Sequence, residues 1–113
     1  MKKLSSTNFE NQQILHEFCD AAYTISLISG RWKLTILTNL QRGINRFSTL
    51  KAAIPSITER VLALQLKELE QAGLLVKIET NTSERLSIYV LSPSGVKLIP
   101  VIESLGEWGK ENK

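Results

Sequence analysis

The chain carries its chemistry in scattered cations, a few amides and hydroxyls, and one thiol. Arg60 and Lys67 stand in TERVLALQLKELEQ, where leucines recur at helical spacing. A guanidinium at Arg60 can pair bidentately with O6 and N7 of a guanine, or meet a phosphate or open solvent. Gln65 can pair with adenine, although it borders the leucine stripe. Thr58 can donate to a phosphate or a base, or support the start of its helix. Lys67 suits a phosphate, or an intrahelical Glu70 or Gln71. Arg46 begins the preceding helical stretch, where a cation beside a positive helix end is locally unfavourable; a phosphate would relieve it, with Ser48 as a nearby donor. Asn81, Thr82, Ser83 and Arg85 make a polar loop that can reach a minor groove or phosphates, or form a plain solvated turn.

Cys19 is the single cysteine, which excludes an intramolecular disulfide framework and a cysteine-based zinc site. A lone thiol reacts by pairing with another molecule, such as a second copy's Cys19 or a small thiol, or by taking up an electrophile. It serves equally well as a small buried hydrophobe. His16 has no partners at ligand spacing. A glycine-rich phosphate loop and paired carboxylates in an apolar setting are both missing, and only His16 and Cys19 bring a histidine near a nucleophile. No enzyme activity, metal or cofactor is expected.

With 113 residues there is room for one core, and 42% hydrophobic with 22% charged residues argues for a folded domain over disorder. No run approaches the length of a membrane span, and MKKLSSTNFENQQ lacks the apolar stretch of a secretory signal. A cytoplasmic protein without membrane partners is expected. Net charge is +3, from 14 Lys and Arg against 11 Asp and Glu. Arg31 to Lys67 holds seven cations against Glu59 alone, so that stretch is +6 and the remainder −3. A basic centre in an acidic frame is the footprint of nucleic-acid binding, although a solvated helix face would share it.

The elements that must position these groups follow from pattern. Residues 1–7 read as a loose terminus, and Phe9 to Cys19 as a short amphipathic helix through Ile14, Leu15 and Phe18. Ala22 to Ile28 gives another turn or two, ended by Ser29-Gly30. Trp32, Ile36, Leu37 and Leu40 form one stripe of a helix that stops at Gly43. Asn45 offers an N-cap for RFSTLKAAI, which turns Phe47, Leu50 and Ile54 inward and ends before Pro55. Ser56-Ile57-Thr58-Glu59 matches a capping box for a helix with Leu62, Leu66 and Leu69 buried, stopping at Gly73. Leu74 to Thr80 and Leu86 to Leu91 read as paired strands. Ser92-Pro93 then opens a helix over about 94–109, which Pro100 and Gly106 can bend.

Helix, turn and capped helix in succession make a helix-turn-helix over 45–73, and a hairpin over 74–91 directly after it makes a winged helix. The expected fold is α+β and mostly helical: one winged helix-turn-helix domain over 1–113, with helices at both ends. A core of this size cannot easily hide both Ile14, Leu15, Phe18 and Val101, Ile102, Leu105, Trp108. These apolar residues are therefore expected to form a homodimer interface.

The ordered set Gly30-Arg31-Trp32-Lys33, Arg46-Phe47-Ser48-Thr49-Leu50, Ile54-Pro55-Ser56-Ile57-Thr58, Leu66 to Leu74, and Leu91-Ser92-Pro93-Ser94-Gly95 resembles the HxlR-type winged-helix transcription regulators. Tyr89, Leu98, Leu105 and Trp108-Gly109 extend the similarity over about residues 18–109. The resemblance implies a dimeric regulator that binds a palindromic or pseudo-palindromic duplex operator, with repression ahead of activation. It also places Cys19 where family members commonly carry a cysteine, some of them sensing oxidants or electrophiles through it. The chain departs from the family in three places. Its wing, TNTSERLS, has no proline, Asp20 replaces a frequent proline, and Ala63 and Leu64 are less polar than usual in the recognition helix. The competing reading is a winged helix that binds a protein partner or an effector without specific DNA binding.

Overall fold

A computed structural model describes residues 19–79 and 87–113. The expectations placed on Ile14, Leu15, His16 and Phe18, and on the wing loop residues Asn81, Thr82, Ser83 and Arg85, fall outside the described residues.

The described elements run α1 (Asp20–Ile28), α2 (Lys33–Gln41), α3 (Phe47–Ala53), α4 (Glu59–Gln71), β1 (Leu75–Glu79), β2 (Ser87–Leu91) and α5 (Pro93–Asn112). The order is that of the expected winged helix. β1 and β2 pair antiparallel, Leu75 opposite Leu91 and Glu79 opposite Ser87. One apolar cluster joins every element, from Ile28 of α1 through Ile36, Leu37 and Leu40, Leu50, Leu62, Leu66 and Leu69, to Leu75, Tyr89, Ile99 and Ile102. Among the described residues, the stripes read on α2, α3 and α4 are therefore faces that lie inward.

Two helix starts differ from the capping patterns. α4 is capped by Thr58, whose Oγ1 accepts the Val61 N–H at 3.1 Å. Ser56 instead belongs to a turn in which the Ile57 N–H donates to the Ile54 carbonyl at 3.1 Å. That turn carries Ile57 into the core, and burying an isoleucine outweighs a local capping box two residues earlier. α3 begins after Arg46 and not Asn45, with the Arg46 N–H donating to Thr49 Oγ1 at 3.3 Å. The backbone of Asn45 is engaged elsewhere. Its carbonyl accepts the Tyr89 N–H at 2.8 Å, which ties β2 to the entrance of α3.

α4 ends at Gly73, whose φ of 80° reverses the chain where a side chain would be strained. α5 docks on that reversal. The Ser92 hydroxyl donates to the Gly73 carbonyl at 2.6 Å and accepts the Gly95 N–H at 3.0 Å, so one side chain both caps α5 and anchors it. Gly95 is a close-approach glycine, because a Cβ there would run into the Leu74 carbonyl oxygen. α5 continues unbroken through Pro100 and Gly106 to Asn112, three residues past the expected end.

Candidate nucleic-acid interface

α4 is held by three buried leucines, Leu62, Leu66 and Leu69, and turns its opposite side to solvent. On a helix, Arg60, Leu64, Lys67 and Gln71 fall at i, i+4, i+7 and i+11 on that outer side, and all four are exposed. The fold thus brings Arg60 and Lys67 onto one side of α4, with Thr58 exposed at the helix's N-terminal end. Gln65 is half-buried and lies off this face.

The rotation of α4 is further fixed by an ion pair. Lys33 Nζ, on the first residue of α2, donates to Glu68 Oε1 at 2.6 Å, with the lysine side chain only 15% exposed. Thirty-five residues separate the two in sequence, and no local pattern announces the pair. Beside Lys33, the Arg31 guanidinium lies 4.6 Å from the centre of the half-buried Trp32 ring.

Arg46 is half-buried and Ser48 exposed at the start of α3, the first helix of the pair. A groove between α4 and the hairpin is lined by Ala63, Leu66, Lys67, Glu70, Lys77 and Tyr89. Lys77 is a cation that sequence reasoning left out. The signal was present in strand alternation: Lys77 lies opposite Tyr89 in the ladder, and so on the face of the hairpin that holds the buried Leu75 and Tyr89. Among the described residues it meets the Glu79 carboxylate, 3.9 Å away.

Cys19 is the half-buried N-cap residue of α1 and its side chain makes no capping hydrogen bond. α1 and the first turns of α5 face a common cleft lined by Tyr23, Leu27, Lys97 and Leu98. Of the apolar residues assigned to an interface on α5, Val101, Leu105 and Trp108 are exposed, Trp108 by 69%. Ile102 is not. At 7% exposure it packs in the core of its own chain, because Ile99 and Ile102 mark the inward side of α5.

A capped, outward-facing cationic helix, preceded by a short helix and followed by a hairpin, defines the winged helix-turn-helix class. The chain belongs to the HxlR-like helix-turn-helix family, whose profile matches residues 27–113. It is similar to YdzF of Bacillus subtilis, an HTH-type transcriptional regulator, with 41% identity over 88 residues, spanning 77% of this chain and 81% of that one. Among solved structures it is similar to the redox regulator HypR in its reduced form, with a TM-score of 0.77 and 32% identity over 82% of this chain and 92% of that one. The reduced form of the transcriptional regulator YodB from B. subtilis gives a TM-score of 0.76 and 29% identity, over 83% and 92% of the two chains. No helix among the described residues is long and apolar enough to cross a membrane.

Proposed function

We propose that this protein is a cytoplasmic, homodimeric transcription regulator that binds duplex DNA in a sequence-specific way and has no catalytic role. The observation that carries this reading is the outer face of α4, where Arg60 and Lys67 point away from a core that holds the helix on the other side. Helices of this kind enter the major groove and meet base edges with their N-terminal residues. In this reading Arg60 addresses a base, Lys67 and Arg46 address phosphates, and Thr58 and Ser48 add hydroxyl donors. Gln65 is a lesser contributor, and the loop with Asn81, Thr82, Ser83 and Arg85 serves the minor groove or its phosphates. Two copies address half-sites about 34 Å apart, or a multiple of that.

Cys19 gives the regulator its redox or electrophile response. A two-electron oxidant such as a diazene takes up two electrons and two protons from a pair of thiols, its N=N bond becoming a hydrazine, as Cys19 of each protomer, or Cys19 and a small thiol, join in a disulfide. An electrophile instead adds directly to the sulfur. The likeness to a protein named as a redox regulator supports this reading. So does the position of Cys19 at the head of α1, which shares a cleft with the start of α5 and leads through Gly30-Arg31-Trp32 to Lys33 and its partner on α4.

The test is selection of bound duplexes from a random pool by the full-length protein, followed by titration against salt. Enrichment of a two-fold symmetric sequence is expected, with affinity falling steeply as salt rises because phosphate contacts release counterions. Salt-independent binding, or no enriched duplex, would refute the reading in favour of a protein-binding or effector-binding module.

A further inference from the structure

The outer face of α4 contains one residue whose chemistry neither phosphates nor polar base edges explain. Leu64 is 51% exposed, four residues after Arg60 and three before Lys67, and so lies between them on the same surface. The helix is already held by Leu62, Leu66 and Leu69, so Leu64 is not needed to seat it. A solitary exposed leucine is ordinary on a protein surface; the placement of this one between two outward cations is what makes it informative.

In the major groove the base edges offer nitrogen and oxygen donors and acceptors, and one apolar group, the 5-methyl of thymine. Pressed on a guanine, cytosine or adenine edge, a leucine would strip water from polar atoms and return no hydrogen bond. Pressed on a thymine methyl, it lets two apolar surfaces leave water together. Ala63, exposed beside it, is small enough to let the helix approach closely. From Arg60 to Leu64 the helix rises ~6 Å, which is about two base-pair steps of ~3.4 Å.

We propose that Leu64 is a specificity residue that selects thymine through its 5-methyl group, within about two base pairs of the base addressed by Arg60. The inference rests on the duplex-binding reading above and deepens it. After selection of a bound duplex, each thymine in a half-site is replaced in turn by deoxyuridine, which removes the methyl and leaves every hydrogen-bonding group in place. Wild type and Leu64→Ala are then titrated on both duplexes.

In wild type, one substitution per half-site should weaken binding about fourfold, the effect of one buried methyl. Leu64→Ala should bind the thymine and deoxyuridine duplexes equally at that position, with an unchanged salt slope. Its thermal unfolding should match wild type, since half of Leu64 is already in water. If deoxyuridine has no effect at any position, or the same effect on both proteins, Leu64 does not read thymine although DNA binding stands. If wild type enriches no duplex, the inference falls together with the reading beneath it.

Discussion

At the residue scale, the cations of the helix pair should separate into base readers and phosphate anchors. Arg60 is exposed on the outer face of α4 near its N-terminus, whereas Arg46 is half-buried at the mouth of α3. Arg60→Ala should relax base preference at one position per half-site and cost about 1–3 kcal/mol for each base pairing removed. Arg46→Ala should weaken all duplexes alike and lower the salt slope by about 0.9 for each phosphate no longer neutralised. Binding measured on the selected duplex and a scrambled one distinguishes these outcomes; equal weakening of both duplexes by Arg60→Ala would reduce that residue to a phosphate anchor. Cys19 is tested with the protein intact. Diamide or a quinone should change the DNA affinity of wild type and leave Cys19→Ser unaffected in a gel-shift titration. An equal change in both proteins, or in neither, would leave the thiol as packing.

At the scale of elements, the seating of α5 on the turn after α4 is the junction most exposed to single substitutions. Ser92 caps α5 and anchors it to the Gly73 carbonyl. Removing that hydroxyl in Ser92→Ala should cost about 1–2 kcal/mol, the upper part of the range for N-caps, because one side chain serves two partners. Gly95→Ala should be worse. Its methyl meets backbone at Leu74, which cannot move aside as a side chain can, and overpacking of this sort costs about 3 kcal/mol. Denaturant unfolding of both variants checks the order, and a Gly95→Ala protein as stable as wild type would show that the helix end shifts freely.

At the scale of the whole molecule, the proposed dimer requires two recognition helices spaced for one operator, and α5 offers a surface that can do it. Val101, Leu105 and Trp108 follow one another at i, i+4 and i+7 on the exposed side of α5, while Ile99 and Ile102 hold its other side in the core. A partner protomer is the natural cover for this stripe in the proposed dimer. Leu105→Glu with Trp108→Glu should give a folded monomer in sedimentation velocity, with far-ultraviolet circular dichroism unchanged. A buried interface tryptophan alone commonly contributes about 2 kcal/mol or more. Affinity for the two-half-site duplex should fall to that for a single half-site. A double variant that still sediments as a dimer would place the interface elsewhere. Substitution is preferable to removing residues 101–113, because that deletion also takes Ile102 out of the core.

What could be read from the chain alone was whatever repeats within one element. The stripe Ile36, Leu37, Leu40, the leucines of α4, the strand alternation and the Ser92-Pro93 start depend on periods of 3.6 and 2 residues and on local capping, which neighbours in sequence determine. Family membership was legible for the same reason, being an ordered set of such local signals. Tertiary structure decided what depends on the rotation of one element against another. It moved the cap of α4 from Ser56 to Thr58 because Ile57 had a core to enter. It set Ile102 inward and Val101 outward, although both are apolar neighbours on one helix. It paired Lys33 with Glu68 across 35 residues and brought Lys77 to the groove beside Lys67. A helix's sequence states which residues share a face, but the direction that face points is settled only when all the buried surfaces must fit one core at once.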